Sequence, residues 1–287
     1  MSFKLLTIPD IINKHKGTPA VIEGHGPSAN DNRLKINKFK EENDIILIGC
    51  NEWWAFEDHP KPDYWVRCSV GANGGNLVEN KHDIEWFKQG SNNGEIPLFN
   101  CDVTDRSSLD SAKENLICPY LPYDIRHLGG KSCLENYNAS AGSGEYLHRY
   151  FTFFPDCCNR RGRLTLQEEL QNYTNYYTHV GVNTFTVTTQ MIMFAILMGC
   201  NPIYIHGMEL DYFGKNGIFG KLKEGWDWRS RWPGFNPGPD TWKGWRREYM
   251  VKDFNIINES AKNIGTKIIN LKHNTWYKVF EEGGFNE

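Results

Sequence analysis

The sequence predicts an α/β protein with a Rossmann-like, doubly wound and mostly parallel sheet. Three observations predict it. Short apolar runs recur without polar alternation, as strands buried on both faces do. Helical patterns lie between some of these runs. The first run ends in a glycine turn, at the place where open α/β sheets bind ligands.

Taken in order, the runs are Ala20-Val21-Ile22, Ile45 to Ile48, Tyr64-Trp65-Val66 and Pro97-Leu98-Phe99, followed by Ile203-Tyr204-Ile205 and Lys267-Ile268-Ile269. Pro62 and Asp63 mark the turn before the third run. Helical periodicity covers about 166–176, about 189–199 and about 244–263. The segment 72–95 is rich in Gly and Asn and reads as irregular. The segment 213–243 is rich in Gly, Pro and Trp and reads as a long lid-like insertion. No internal repeat breaks the chain, so residues 1–287 read as one α/β domain.

Composition narrows the function classes. Lys+Arg is 32 and Asp+Glu is 35, a net charge of -3. That balance excludes a polybasic nucleic-acid binder and gives no membrane-surface signal. The longest apolar run, Met191 to Met198, is far too short to span a bilayer. The N-terminus reads without a signal peptide, so a cytoplasmic location is expected. The 8 cysteines have no zinc-ligand spacing and read as reduced thiols. Aromatic residues are 14% of the chain, and five of the 10 tryptophans (Trp226, Trp228, Trp232, Trp242, Trp245) fall in one segment.

The turn Gly24-His25-Gly26-Pro27-Ser28 follows the first strand. Its glycines permit positive φ and close approach of backbone to a ligand. Ser28 can cap a helix or hydrogen-bond an anion. His25 sits where it can touch phosphate. The turn is neither GxGxxG nor a Walker loop. A plain tight turn is the alternative. Asn51, followed by Trp53 and Trp54, stands just past the second strand, where it can face a base or ribose or cap a turn.

Thr188-Thr189-Gln190 opens a wholly apolar helix that ends at Gly199. The first N–H groups of such a helix suit phosphate, and glycine suits its C-terminus. The next strand ends in His206, Gly207, Met208, Glu209, Leu210 and Asp211. Carboxylates there can hold ribose hydroxyls, a metal or an incoming nucleophile, or simply cap a loop. In the tryptophan-rich segment, Trp226 and Trp228 beside Arg229 offer aromatic faces for sugar and a guanidinium for phosphate or carboxylate. Self-packing of the loop is the alternative for most of its tryptophans.

These motifs in this order resemble a known group. Gly24-His25-Gly26-Pro27-Ser28 resembles the Gly-x-Gly-Pro-Ser turn of the family 42 bacterial sialyltransferases. The same motif opens the 6-hydroxymethylpterin diphosphokinase MptE-like proteins, which include flagellin-modifying (Maf-type) glycosyltransferases. Cys50-Asn51-Glu52-Trp53-Trp54 is similar to the sialyltransferases' Cys-Asn-x-aromatic-aromatic segment. Lys61-Pro62-Asp63-Tyr64 resembles the Pro-Asp-Tyr strand of the MptE-like proteins. Thr188 to Asp211 resembles a shared helix, glycine, strand and Gly-x-Asp/Glu pattern.

The resemblance implies a GT-A-type fold and a nucleotide-activated sugar donor, a CMP-sugar in the sialyltransferases. Gly24, His25, Gly26, Pro27, Ser28, Asn51, Thr188, Thr189, Gln190, Gly207 and Glu209 would then bind nucleotide. Tyr212, Trp226, Trp228 and Arg229 would face substrate. The base candidates are Asp211, Asp240 and His206. Two departures stand out: Gln190 replaces a small Gly, and the loop from Phe213 to Trp245 lacks the sialyltransferases' basic His. A sialyltransferase-like enzyme needs no cofactor. A diphosphokinase-like enzyme would take ATP with Mg²⁺ held by Glu209 and Asp211. A non-catalytic nucleotide- or glycan-binding protein is the third reading. Expected partners are a nucleotide sugar and a glycan or small-molecule acceptor, with self-association left open.

Overall fold

The computed structural model of the chain describes residues 10–26, 28–68, 81–101, 118–123, 187–208, 222–224, 261–271 and 277–285, with Lys4, Leu6 and scattered positions from 251 to 259. Its elements are β1 (Ala20–Glu23), α1 (Ala29–Glu42), β2 (Ile46–Cys50), β3 (Tyr64–Cys68), α2 (Lys81–Gly90) and β4 (Leu98–Cys101). There follow β5 (Tyr120–Tyr123), α3 (Val187–Leu197), β6 (Ile203–His206), β7 (Ile268–Asn270) and β8 (Glu281–Glu282). The strands form one sheet in the order β5-β4-β3-β2-β1-β6-β7-β8. All seven pairings are parallel.

Alternation along β1 shows how the two faces are used. Ala20 and Ile22 belong to the core under α3, whereas Val21 packs with Ile36 and Phe39 of α1. Helices on both faces explain why the predicted strands read as unbroken apolar runs. α3 is buried along nearly its whole length and packs on β1, β2 and β3. That is why its sequence shows no polar stripe. It ends where expected: Gly199 has φ +77°, and Cys200 N–H donates to the Ala195 carbonyl at 3.0 Å.

All six predicted strands form. β5 and β8 were not foreseen, for a physical reason in each case. β5 carries a proline and stands near the sheet edge, where a missing N–H is tolerated. β8 is two exposed glutamates, a polar edge rather than a buried run. α2 forms inside the segment 72–95 that reads as irregular, because Gly and Asn around it mask its ten residues. The helical pattern over 166–176 lies outside the described residues. In the stretch 244–263, the described residues from 251 to 263 are helical.

α1 has a buried face made of Ala29, Arg33, Ile36 and Phe39. The spacing is helical, but its second member is charged, so an apolar template passes over it. A second cluster, Trp53, Trp54, Trp65 and Phe87, closes the β2–β3 side of the sheet.

Candidate functional site

β1 lies between β2 and β6. The chain winds outward from β1 to β5, then returns to start again at β6 on the other side of β1. The carboxyl ends of β1 and β6 therefore flank the topological switch point, where open α/β sheets leave a crevice for ligands.

Two glycines meet there. Gly24 N–H donates to the His206 carbonyl and Gly26 N–H to the Gly207 carbonyl, both at 2.8 Å. A Cβ on Gly24 would stand 2.4 Å from the Gly207 oxygen, and one on Gly207 would stand 2.5 Å from the Gly24 oxygen. Gly207 carries φ +66°, while Gly24 keeps an ordinary φ. Gly24 is thus required by the approach of a second backbone, not by a left-handed conformation. The α1 N-terminus closes on the same point, because the Cβ of Ala29 would lie 3.0 Å from a Cβ on Gly207. Ser28 occupies the N-cap position and is buried, yet its hydroxyl makes no capping bond.

Asn51 turns the chain at the end of β2 with φ 40°, a conformation Asn tolerates better than most residues. Its N–H donates to Val66 at 3.1 Å and its carbonyl accepts from the Trp65 indole at 2.7 Å. The N-terminus of α3 reaches the same sheet edge. Gly17 N–H donates to Gly199, so α3 ends beside the start of β1 and must begin at the carboxyl edge. Thr188, Thr189 and Gln190 are buried in its first turn, inside the helix rather than before it.

Behind the glycine turn lies a polar cluster that the sequence reading missed. Glu23, the last residue of β1, is fully buried. Arg33 Nε donates to its Oε1 at 2.8 Å. Arg33 also donates from Nη1 to the Glu57 carbonyl at 2.7 Å and to Asn30 Oδ1 at 3.1 Å, and lies over the Phe56 ring. His59 Nε2 stands 3.6 Å from Glu23 Oε1, while its Nδ1 is 2.7 Å from the Pro60 carbonyl. A carbonyl only accepts, so Nδ1 carries the proton and Nε2 is left as an acceptor. Gly49 makes room for this loop: a Cβ there would meet Pro62 at 3.2 Å and His59 at 3.5 Å.

His25 packs on Phe56 with ring centroids 4.1 Å apart, and its Nε2 is 3.6 Å from Cys50 Sγ. Burial pushes Glu23 up to about 7 against the pull of Arg33. Burial lowers His59 to about 3, with Arg33, Lys223 and His206 adding to the fall and the bond to Pro60 opposing it. Burial likewise holds His25 well below the usual histidine range and Cys50 well above the usual thiol range. Below about pH 7 the Glu23–His59 contact is therefore an acid beside a neutral imidazole and not a charged pair.

The structure thus brings Gly24, His25, Gly26, Ser28, Asn51, Gly207 and the Thr188–Gln190 turn to one edge of the sheet. His206 ends β6 there, but it is fully buried beside Glu23, its register partner. Pro27, Glu209, Asp211, Tyr212, Trp226, Trp228, Arg229 and Asp240 lie outside the described residues. So do the other lid tryptophans and both carboxylates expected to hold Mg²⁺. Of the segment 213–243, residues 222–224 are described. Leu222 bridges Phe56, and Lys223 N–H donates to Ala55 at 2.9 Å, which docks this piece on the wall of the site. Among the described residues, no group of three His, Cys, Asp or Glu side chains could hold a metal ion. The described residues also include no helix long and apolar enough to cross a membrane.

The missed residues had a signal. Glu23 is a carboxylate attached directly to a buried strand, and Arg33 occupies the buried face of α1 four residues after Ala29. Two opposite charges at such positions imply a pair.

Fold and strand order define the class as a doubly wound α/β protein with its switch point at β1 and β6. Solved structures that the chain matches include the sialyltransferase CstII from Campylobacter jejuni in complex with the substrate analogue CMP-3FNeuAc. That match has 14% identity and a TM-score of 0.46, covering 93% of this chain and 85% of that one. An apo alpha-2,3-sialyltransferase from the same organism matches at 14% identity and TM-score 0.47, over 96% of this chain and 83% of that one. The Maf glycosyltransferase from Magnetospirillum magneticum AMB-1 matches at 13% identity and TM-score 0.49, over 99% of this chain and 36% of that one. No protein-family model matches the sequence, and no curated protein matches it.

Proposed function

We propose that the chain is a glycosyltransferase that takes a nucleotide-activated sugar, with a CMP-sugar as the favoured donor, and transfers it to a hydroxyl of a glycan or small molecule. The observation that carries this reading is the convergence at the switch point. The close-packed glycine pair and the N-terminus of α1 meet at the carboxyl ends of β1 and β6, and the N-terminus of α3, which packs on β1, β2 and β3, lies at the same edge of the sheet. Helix N-termini present N–H donors and positive dipole ends, which suits a phosphate. The same donors would stabilise the phosphate as it departs, and fixed donors cost no reorganisation at that moment. Asn51 at the end of β2 is in position for the ribose or base.

An inverting transfer needs a base for the acceptor hydroxyl. Buried His206 is poorly placed for an acceptor arriving from solvent. Asp211 is the first candidate, five residues past the end of β6, with Asp240 second. The lid segment, anchored at residues 222–224, would supply aromatic faces to the sugar. Three buried free thiols, Cys50, Cys118 and Cys200, fit work in a reducing cytoplasm.

Thermal-shift measurements with CMP, UDP, GDP and ATP, each with and without Mg²⁺, test the reading. CMP at about a hundred times its Kd is expected to add about 2.7 kcal/mol of stability without metal. Stabilisation only by ATP with Mg²⁺ would move the assignment to a diphosphokinase. The absence of any shift would remove both. Donor hydrolysis without acceptor would exclude a non-catalytic binding protein.

A further inference from the structure

The Glu23–His59 contact holds two acceptors facing each other. His59 Nδ1–H is committed to Pro60, so Nε2 offers only a lone pair, 3.6 Å from a carboxyl oxygen already accepting from Arg33. Glu23 Oε2 and His59 Nε2 are buried and have no hydrogen-bond partner among the described residues. Two acceptors that face each other at a buried site, here Oε1 and Nε2, repel unless a donor stands between them.

We propose that Glu23 is a positioning residue of the donor site: its carboxylic acid form hydrogen-bonds to His59 Nε2 and ties the β2–β3 loop to the end of β1 that bears Gly24. The proposal rests on the reading of the crevice as a nucleotide site and deepens it. A small closure from 3.6 Å completes the bond. His59 belongs to the loop that carries Phe56, and the Phe56 ring packs on His25 inside the glycine turn. Loss of the Glu23 proton therefore loosens the wall and the turn together.

The groups facing Glu23 are Arg33 from α1, His59 from the loop, Cys50 from β2 and His206 from β6; His25 from the turn and Lys223 from the lid segment act on His59. Of these, Arg33 opposes protonation of Glu23, and burial outweighs it. The folded protein thus holds a proton on Glu23 that the unfolded chain has released. The Glu23 contribution to stability is fully present below about pH 4.5, falls as pH rises, and is lost through about pH 7.

Glu23→Gln removes the titrating carboxyl and leaves a side chain of the same shape that stays neutral at every pH. CMP affinity of the natural protein is expected to weaken about fivefold from about pH 6 to about pH 8, and that of Glu23→Gln to change less than about twofold. The phosphate of CMP titrates equally in both, so the difference between the proteins is the readout. Equal pH dependence in the two proteins would overturn the proposal.

Two ligand-free measurements separate this result from the nucleotide reading. The melting temperature of the natural protein should fall more steeply with rising pH than that of Glu23→Gln. Imidazole ¹⁵N NMR should show His59 neutral and protonated on Nδ1, with Nε2 accepting a hydrogen bond below about pH 7. Parallel melting profiles, or a proton on Nε2, would refute the Glu23–His59 bond even if CMP binds. Failure of CMP to bind at any pH, with both ligand-free results as expected, would remove the donor-site role and leave the bond.

Discussion

Gly24→Ala is expected to lose about 3 kcal/mol of stability and to abolish nucleotide binding. The added methyl would sit 2.4 Å from the Gly207 carbonyl oxygen and 3.3 Å from that of His206. Neither backbone can yield easily, because Gly24 N–H and Gly26 N–H are bonded to the same two residues. Separating the chains breaks those bonds, and α1 packs on the same spot. Gly17→Ala provides the contrast. Gly17 has φ +80° but nothing within 4 Å of a Cβ, so that change costs only the backbone strain of about 1 kcal/mol. Urea unfolding of both variants measures the difference. If Gly24→Ala proves no worse than Gly17→Ala, the close approach of the β1 and β6 turns is not the reason for the glycine.

Arg33→Met is the second large effect. It removes the partner of a fully buried carboxyl, and where that carboxyl is ionised, above about pH 7, breaking such a pair costs about 3–5 kcal/mol. It also removes the bond to Glu57 and the packing on Phe56. The cost has a pH signature. Without Arg33, burial alone acts on Glu23, so its folded pKa rises beyond about 7. The folded state then holds the proton over a wider range. The penalty should therefore be smallest in mild acid and grow as pH rises. Glu23→Gln combined with Arg33→Met should recover part of the loss, because no buried carboxyl remains to ionise. Unfolding curves of the two variants in mild acid and mild base test this. A pH-independent penalty would mean that Arg33 acts through packing alone.

The sequence carries the fold where physics writes a simple pattern. Ala20-Val21-Ile22 and Ile203-Tyr204-Ile205 sit side by side in the middle of the sheet, covered on both faces, and uniform burial leaves uniform apolar runs. Glu281 and Glu282 form a strand by edge pairing alone, which leaves no apolar trace. α1 escaped because its buried face contains Arg33, and the same residue opens the polar half of the site. Site and missed helix are thus one omission. The glycine turn was legible as a special place: of the two reasons offered, positive φ is found at neither Gly24 nor Gly26, whereas close approach of backbone holds at Gly24, with Gly207 as the neighbour. His59 was not legible, since nothing local distinguishes it from a loop histidine. Its role follows from Gly49, 10 positions earlier in the chain, whose missing side chain leaves space for it.

The aromatic excess divides in the same way. Trp53, Trp54 and Trp65 are packed against Phe87 and serve the core beside β2 and β3. Residues 222–224 of the tryptophan-rich segment dock on Ala55 and Phe56, so the segment is anchored on the wall that His25 and His59 share.

The central claim is that the carboxyl ends of β1, β2 and β6 bind the nucleotide of an activated sugar. A titration of ¹⁵N-labelled protein with CMP, followed by backbone amide NMR, tests it most directly. The account predicts saturable shifts at Gly24, Gly26, Asn51 and Gly207, with Thr188 to Gln190 moving in step. Shifts confined to other parts of the sheet, or no saturable change at all, would contradict it.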